Sequence, residues 1–142
     1  MILMGVTVPV NGTTFDFTGP TVIGQSINAD NEQIKNGGGY DHNWILNKKK
    51  AGELSLAVDV YDPATGRGME VYTDQPAVQI YCGNFLDGKL TGHNGYVYGR
   101  RYGLCLETQH YPDSPNHPEF PSTILRPGEV YKTRTIQKFY VR

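Results

Sequence analysis

The sequence predicts an all-β fold of antiparallel strands, and three observations carry that prediction. Seventeen glycines and nine prolines are scattered through 142 residues, which leaves little room for long helices. Ten tyrosines, with frequent valine and threonine, favour strands. Short runs alternate apolar and polar residues between turn signals, the period of a half-buried strand.

The clearest run is "ELSLAVDVY", 53–61. Leu54, Leu56, Val58 and Val60 are predicted to share one face, with Ser55, Ala57, Asp59 and Tyr61 on the other. The turn "DPATGR", 62–67, follows with Pro63 and Gly66 as turn residues. "GMEVYT", 68–73, then puts Met69, Val71 and Thr73 on one side and closes a hairpin. "AVQIYC", 77–82, alternates Ala77, Gln79 and Tyr81 against Val78, Ile80 and Cys82. "YGLCLET", 102–108, and the closing "EVYKTRTIQKFYV", 129–141, complete the antiparallel set. No internal repeat, low-complexity tract or linker divides the chain. Residues 1–142 therefore read as a single domain, long enough to bury one core.

Charge and composition exclude several function classes. Thirteen basic and fourteen acidic residues give a net charge of −1 with no block of like sign, which argues against nucleic-acid or membrane-surface partners. The run Lys48 to Lys50 reads as a strand-end solubility device. No apolar stretch is long enough to span a bilayer. The start "MILMGVTVPV" lacks the basic and apolar regions of a signal peptide. Cys82 and Cys105 lie in apolar runs without C-x-x-C spacing, and both are expected to be reduced core residues. A cytoplasmic location is the expectation. Asn11-Gly12-Thr13 fits a glycosylation pattern that matters only in a secreted protein.

The polar residues raise the functional question. Alternation puts Glu107 on a face with Gly103 and Cys105, away from Leu104 and Leu106. On a concave sheet face such a carboxylate is partly desolvated, which raises its pKa toward a useful base; at an ordinary strand end it is simply solvated. The residues alone leave both readings open. In "NGGGYDHNWIL" three glycines demand unusual backbone and deliver Tyr40, Asp41, His42 and Asn43 to the mouth of a strand. Walker spacing is missing, so this is no phosphate loop. His42, His93, His110 and His117 show no H-x-H or H-x-x-x-H spacing, and no metal site is predicted. There is no G-x-S-x-G elbow for a hydrolase triad. From His110 to Pro121, prolines at 112, 115, 118 and 121 predict an ordered loop without regular structure that braces the strand end carrying Glu107.

Four segments, "GTTFDF" (12–17), "GGYDHNWILN" (38–47), "DPATGRGMEVYTDQPAVQIYCGNFLDG" (62–88) and "GLCLETQHYPDSPNHPEFPSTILRPGEVY" (103–131), with the closing "QKFY", resemble the C-terminal part of the aldose 1-epimerases. The resemblance runs from about residue 8 to the end. It implies an antiparallel β-sandwich of the galactose mutarotase-like (supersandwich) type, here incomplete, with a sugar cleft on a concave sheet. It implies interconversion of the α and β anomers of an aldose, galactose or glucose, with no cofactor and no metal. By that resemblance Glu107 is the catalytic base, directed into the cleft beside Asp41 and Gln79, which hydrogen-bond sugar hydroxyls. The alternative is a non-catalytic carbohydrate-binding or regulatory module that keeps the same cleft.

The match has a gap. Members of the family are longer, and their general acid is a histidine in an "NHTYWNL"-like segment of the N-terminal part, where a second histidine and an arginine in contact with the sugar also lie. Residues 1–37 hold nothing similar. The expectation is therefore a chain with the base and part of the sugar site but without the acid: a fragment, a split gene product or one member of a two-chain assembly. Its expected partners are the sugar and an N-terminal half chain, or a second copy of itself.

Overall fold

The computed structural model of the protein describes residues 6–142. Its elements are a short helix α1 (Glu32–Gly37) and six strands: β1 (Asp41–Ile45), β2 (Ser55–Asp62), β3 (Arg67–Thr73), β4 (Ala77–Tyr81), β5 (Cys105–Gln109) and β6 (Thr135–Val141). Three 3-10 turns, at 23–25, 93–95 and 114–116, accompany them. The strands form two three-stranded sheets, in the orders β2-β3-β6 and β1-β4-β5. The chain gathers into two compact units, one built from residues up to His42 with Gln79–Leu106, the other from Asn43–Val78 with Glu107–Arg142. No helix among the described residues is long and apolar enough to cross a membrane.

The second unit is organised around the predicted hairpin. The Asp62 carboxylate accepts from the Ala64 N–H at 3.1 Å and from the Thr65 hydroxyl at 2.5 Å, which closes the turn from its own side chain. Gly66 then takes φ +71°, where a side chain would also meet the Arg142 carbonyl. β2 and β3 pair antiparallel, but the register shifts between Leu56 and Val58. Leu56 faces Tyr72 and Val58 faces Val71, so the expected shared face of Leu54, Leu56, Val58 and Val60 does not persist through the strand. The extra residue of a bulge reverses the alternation, and Leu56 ends up exposed.

Val71, with no exposure at all, and Thr73 lie on the inner side of β3. The opposite side is polar and aromatic. Glu70 accepts from the Tyr72 hydroxyl at 2.9 Å and from Lys138 Nζ at 3.1 Å. The Tyr140 ring lies where a side chain on Gly68 would stand, and the Arg142 guanidinium sits 4.7 Å from that ring's centre.

β6 begins at Thr135, six residues later than the run starting at 129 predicted. The cause is side-chain capture of the approach. Asp74 accepts from the Thr133 hydroxyl at 2.7 Å and the Arg134 N–H at 2.8 Å, and Gln75 donates to Tyr131 and Thr133. Lys48 also departs from expectation. Its ammonium donates to the Glu53 carbonyl (2.9 Å), Ser55 Oγ (3.0 Å) and the Thr73 carbonyl (2.7 Å), so it fastens the hairpin from within. Burial lowers its pKa, against the opposing pull of Glu53 and Asp74.

The first unit packs Ile27, Ile34, Tyr40 and Cys82 as its buried apolar residues. α1 is capped at both ends. Asn31 Oδ1 accepts from the Gln33 N–H at 2.9 Å, and Gly38, left-handed at φ +65°, returns its N–H to the Ile34 and Lys35 carbonyls. Cys82 is buried as expected, and burial raises its thiol pKa. Cys105 is exposed, contrary to the core placement predicted for it. The alternation of β5 turns Leu106 inward and leaves Cys105 on the uncovered side.

Candidate active site

Three glycines set up the first predicted site residue. Gly37 ends α1, and a side chain there would press on the His42 ring at 3.3 Å. Gly38 is the left-handed cap, and both Arg100 and Arg101 donate to its carbonyl, at 2.7 and 3.1 Å. Gly39, at φ +140°, passes so close to Asn84 that any side chain would collide with Asn84 Oδ1. The unusual backbone predicted from "NGGGY" thus ends a helix and starts β1 directly at Asp41.

Asn84 is 6% exposed and its amide donates twice, to the Gly37 carbonyl at 3.0 Å and the Tyr40 carbonyl at 2.8 Å. The Cys82 N–H reaches that same Tyr40 carbonyl at 3.1 Å. Tyr40 is itself fixed. Its hydroxyl donates to the Thr14 carbonyl at 2.6 Å and its ring meets the edges of Phe15 and Phe17. The backbone entering β1 therefore has no slack before Asp41.

Asp41 and Gln79, predicted to share one function, are brought together. Gln79 Nε2 donates to Asp41 Oδ1 at 2.7 Å. Gln79 is buried at 7% exposure and Asp41 half-buried, so the pair presents a carboxylate with one oxygen already oriented. His42 packs behind them. Its Nδ1 accepts from the Asp41 N–H at 3.0 Å and its Nε2 lies 3.2 Å from the Gln33 carbonyl. Burial lowers its pKa, opposed by the Gln33 carbonyl and the Asp41 charge.

Glu107 belongs to the second unit. It stands on β5 and is exposed in this chain. Thr108 turns to the other side and meets Thr135 Oγ1 at 2.7 Å, while Gln109 donates to Asn43 Oδ1 at 3.3 Å. The loop after β5 is ordered without strand or α-helix. Ser114 is buried and bonds the Tyr111 carbonyl, and the His117 ring stacks on Phe120 at 4.7 Å with Glu119 2.9 Å from its Nδ1. Its bonds are mostly internal. Among the described residues no three His, Cys, Asp or Glu side chains gather as a metal site.

Sequence reasoning missed Asn84 and the structural work of His42. The signal for Asn84 was present in "YCGNF": a polar amide directly after a glycine, at the end of an apolar run, a place that suits backbone bracing.

Comparison with known proteins gives the family. The aldose 1-epimerase family model matches residues 1–138. The chain is 48% identical to galactose mutarotase of Mus musculus over 141 residues, 99% of this chain and 39% of that protein. It is 41% identical to aldose 1-epimerase of Escherichia coli K12, over 92% of this chain and 37% of that one. Among solved structures, a GalM/aldose epimerase homologue from C. elegans superimposes with a TM-score of 0.82 at 26% identity, over 97% of this chain and 40% of that one. The chain spans about 39% of the length of the galactose mutarotases it matches. With the family model covering residues 1–138 and the antiparallel sheets in agreement, the chain belongs to the aldose 1-epimerase family.

Proposed function

We propose that this chain carries the base and part of the sugar site of an aldose 1-epimerase acting on galactose or glucose. The observation that carries the reading is the Asp41–Gln79 pair, joined at 2.7 Å on a backbone held from several sides, in a chain of this family. Charged acceptors of this kind suit sugar hydroxyls, since a hydrogen bond to a charged group contributes about 1.5–3 kcal/mol. Asp41 and Gln79 hold the sugar, and Glu107 removes the proton of the C1 hydroxyl. The electron pair left on that oxygen forms the aldehyde as the bond from C1 to the ring oxygen breaks, and the ring oxygen takes up a proton. Rotation about C1–C2 and closure on the other carbonyl face give the opposite anomer, with both protons returned. Exposure of Glu107 supports a base that meets its substrate from solvent.

The proton donor to the ring oxygen is not assigned among these residues. His42, the histidine beside Asp41, is unsuited, because one ring nitrogen accepts from Asp41 and the other faces the Gln33 carbonyl. The donor belongs to the further length that the family's members have, in the same or a second chain. Exposed apolar residues such as Tyr102 in the first unit and Phe139 and Val141 in the second support a covering partner. Polarimetry of freshly dissolved α-galactose and α-glucose, with the buffer rate subtracted, tests the reading. With the rest of the family's length present, acceleration abolished by Glu107→Gln is the expected result. A protein that binds these sugars and never accelerates mutarotation, with or without the rest of the family's length, would instead be the carbohydrate-binding module.

A further inference from the structure

We propose that His42 is the positioning residue for Asp41: its Nδ1 holds the Asp41 amide and thereby fixes the carboxylate that Gln79 meets. The inference rests on the reading of Asp41 as a sugar-binding group.

The geometry admits one arrangement of the ring. The Gln33 carbonyl, 3.2 Å from Nε2, is only an acceptor, so Nε2 must carry the hydrogen. The Asp41 N–H, 3.0 Å from Nδ1, is only a donor, so Nδ1 must offer its lone pair. The neutral Nε2–H tautomer satisfies both, and an imidazolium satisfies only one. The ring is also held mechanically. Gly37 leaves the space against its Cε1, and Phe15 meets it edge-on at 4.9 Å between ring centres. His42 therefore ties the start of β1 to α1 and sets the Asp41 amide. The Asn84 and Cys82 bonds to the Tyr40 carbonyl hold the other side of that same peptide group, and Gln79 sets the carboxylate itself. The peptide group entering Asp41 and its carboxylate are both fixed, which is what preorganised binding requires.

Two substitutions separate the ring's two nitrogens. In His42→Asn a side-chain oxygen replaces Nδ1 and can still accept from Asp41, whereas His42→Gln keeps a donor for Gln33 and loses the acceptor. In the intact protein His42→Gln is expected to raise the KM for galactose about tenfold with kcat nearly unchanged, and His42→Asn to stay within about threefold of the parent. Equal effects of the two, or KM changes that only follow the melting temperature, overturn the proposal. Asp41→Asn is the control for the underlying reading. If it leaves KM unchanged, Asp41 does not hold the sugar and the positioning role falls with it. If it raises KM while His42→Gln does not, only the present inference fails. One readout needs no variant to fold. The unsubstituted protein should show a through-hydrogen-bond 15N–15N coupling between the Asp41 amide and His42 Nδ1, and its absence overturns the proposal.

Discussion

The two carboxylates proposed for the site live in contrasting surroundings. Asp41, in the first unit, is half-buried, bonded by a buried glutamine and seated on a backbone gripped by Asn84, Cys82 and His42. Glu107, in the second unit, is exposed on a strand whose neighbouring side chains, Thr108 and Gln109, make the bonds instead. The difference follows the work proposed for each. A group that recognises a hydroxyl gains from having its orientation fixed before the ligand arrives, because the ordering cost is then met by folding. A base must take and release a proton in each turnover, and a carboxylate locked by donors would be a poor acceptor.

The largest expected effect tests that division directly. Glu107→Gln should lower kcat for mutarotation by about 10²–10⁴-fold while sugar affinity stays within a few-fold. Asp41→Asn should chiefly raise KM. Polarimetry over a range of sugar concentrations separates the two, and a shared loss in both parameters for both variants would erase the contrast.

Next in size is the frame beneath Asp41. Asn84→Ala leaves the Gly37 and Tyr40 carbonyls without their side-chain donor inside the first unit, at a cost of about 2–4 kcal/mol in folding stability. Gly39→Ala should also destabilise, since it forces a side chain against Asn84 at a φ of +140°. Urea unfolding measures both. If either is neutral, the backbone entering β1 is not held as described.

Much of this was legible in the sequence, for physical reasons. Alternation at period two placed β2, β3 and β4 closely, and the 62–67 turn announced itself through Asp62, Pro63 and Gly66. The bulge at Ala57 was not legible, because it depends on which residue of β3 each position faces. The late start of β6 was hidden for a similar reason: Asp74 and Gln75 capture residues 131–134 from far along the chain. Asp41 and Gln79 were readable as a pair only through the family motifs. Their 2.7 Å bond, and the roles of Asn84 and His42 behind it, arise from contacts between distant segments that no local pattern encodes. Lys48 shows the limit most plainly. Its charge suggested a solvated run, whereas the three acceptors that enclose it come from two other segments.

Lys48 gives the third prediction and extends the contrast to the second unit, where the fixed charge is structural. Lys48→Met keeps the stem and removes the donors to Glu53, Ser55 and Thr73, and should cost about 1–3 kcal/mol with no change in sugar KM. Lys49→Met, on an exposed side chain, should be nearly neutral. A stability loss equal in the two variants would return the run to the solubility role.

The smallest effect is a pH dependence that belongs to the first unit. Burial lowers the pKa of His42 from its ordinary 6.5 in the folded protein. Between 6.5 and that lower value the unfolded chain binds the proton and the folded one does not, so stability should fall as pH drops through this window and level off below the folded pKa. The groups around the ring set the size of the effect: the Gln33 carbonyl and the Asp41 charge favour the imidazolium, and desolvation outweighs them. Carboxylates with lowered pKa, such as Asp62 and Glu70, have ordinary values of 3.8 and 4.5 and act at lower pH, which leaves the upper part of the window to the histidine. Unfolding free energies measured from pH 7 to pH 5 should therefore slope downward with acid in the parent and flatten in His42→Asn, which cannot titrate. The same slope in both proteins would assign the dependence to another group, and a rise in stability with acid would mean that the folded site favours the imidazolium after all.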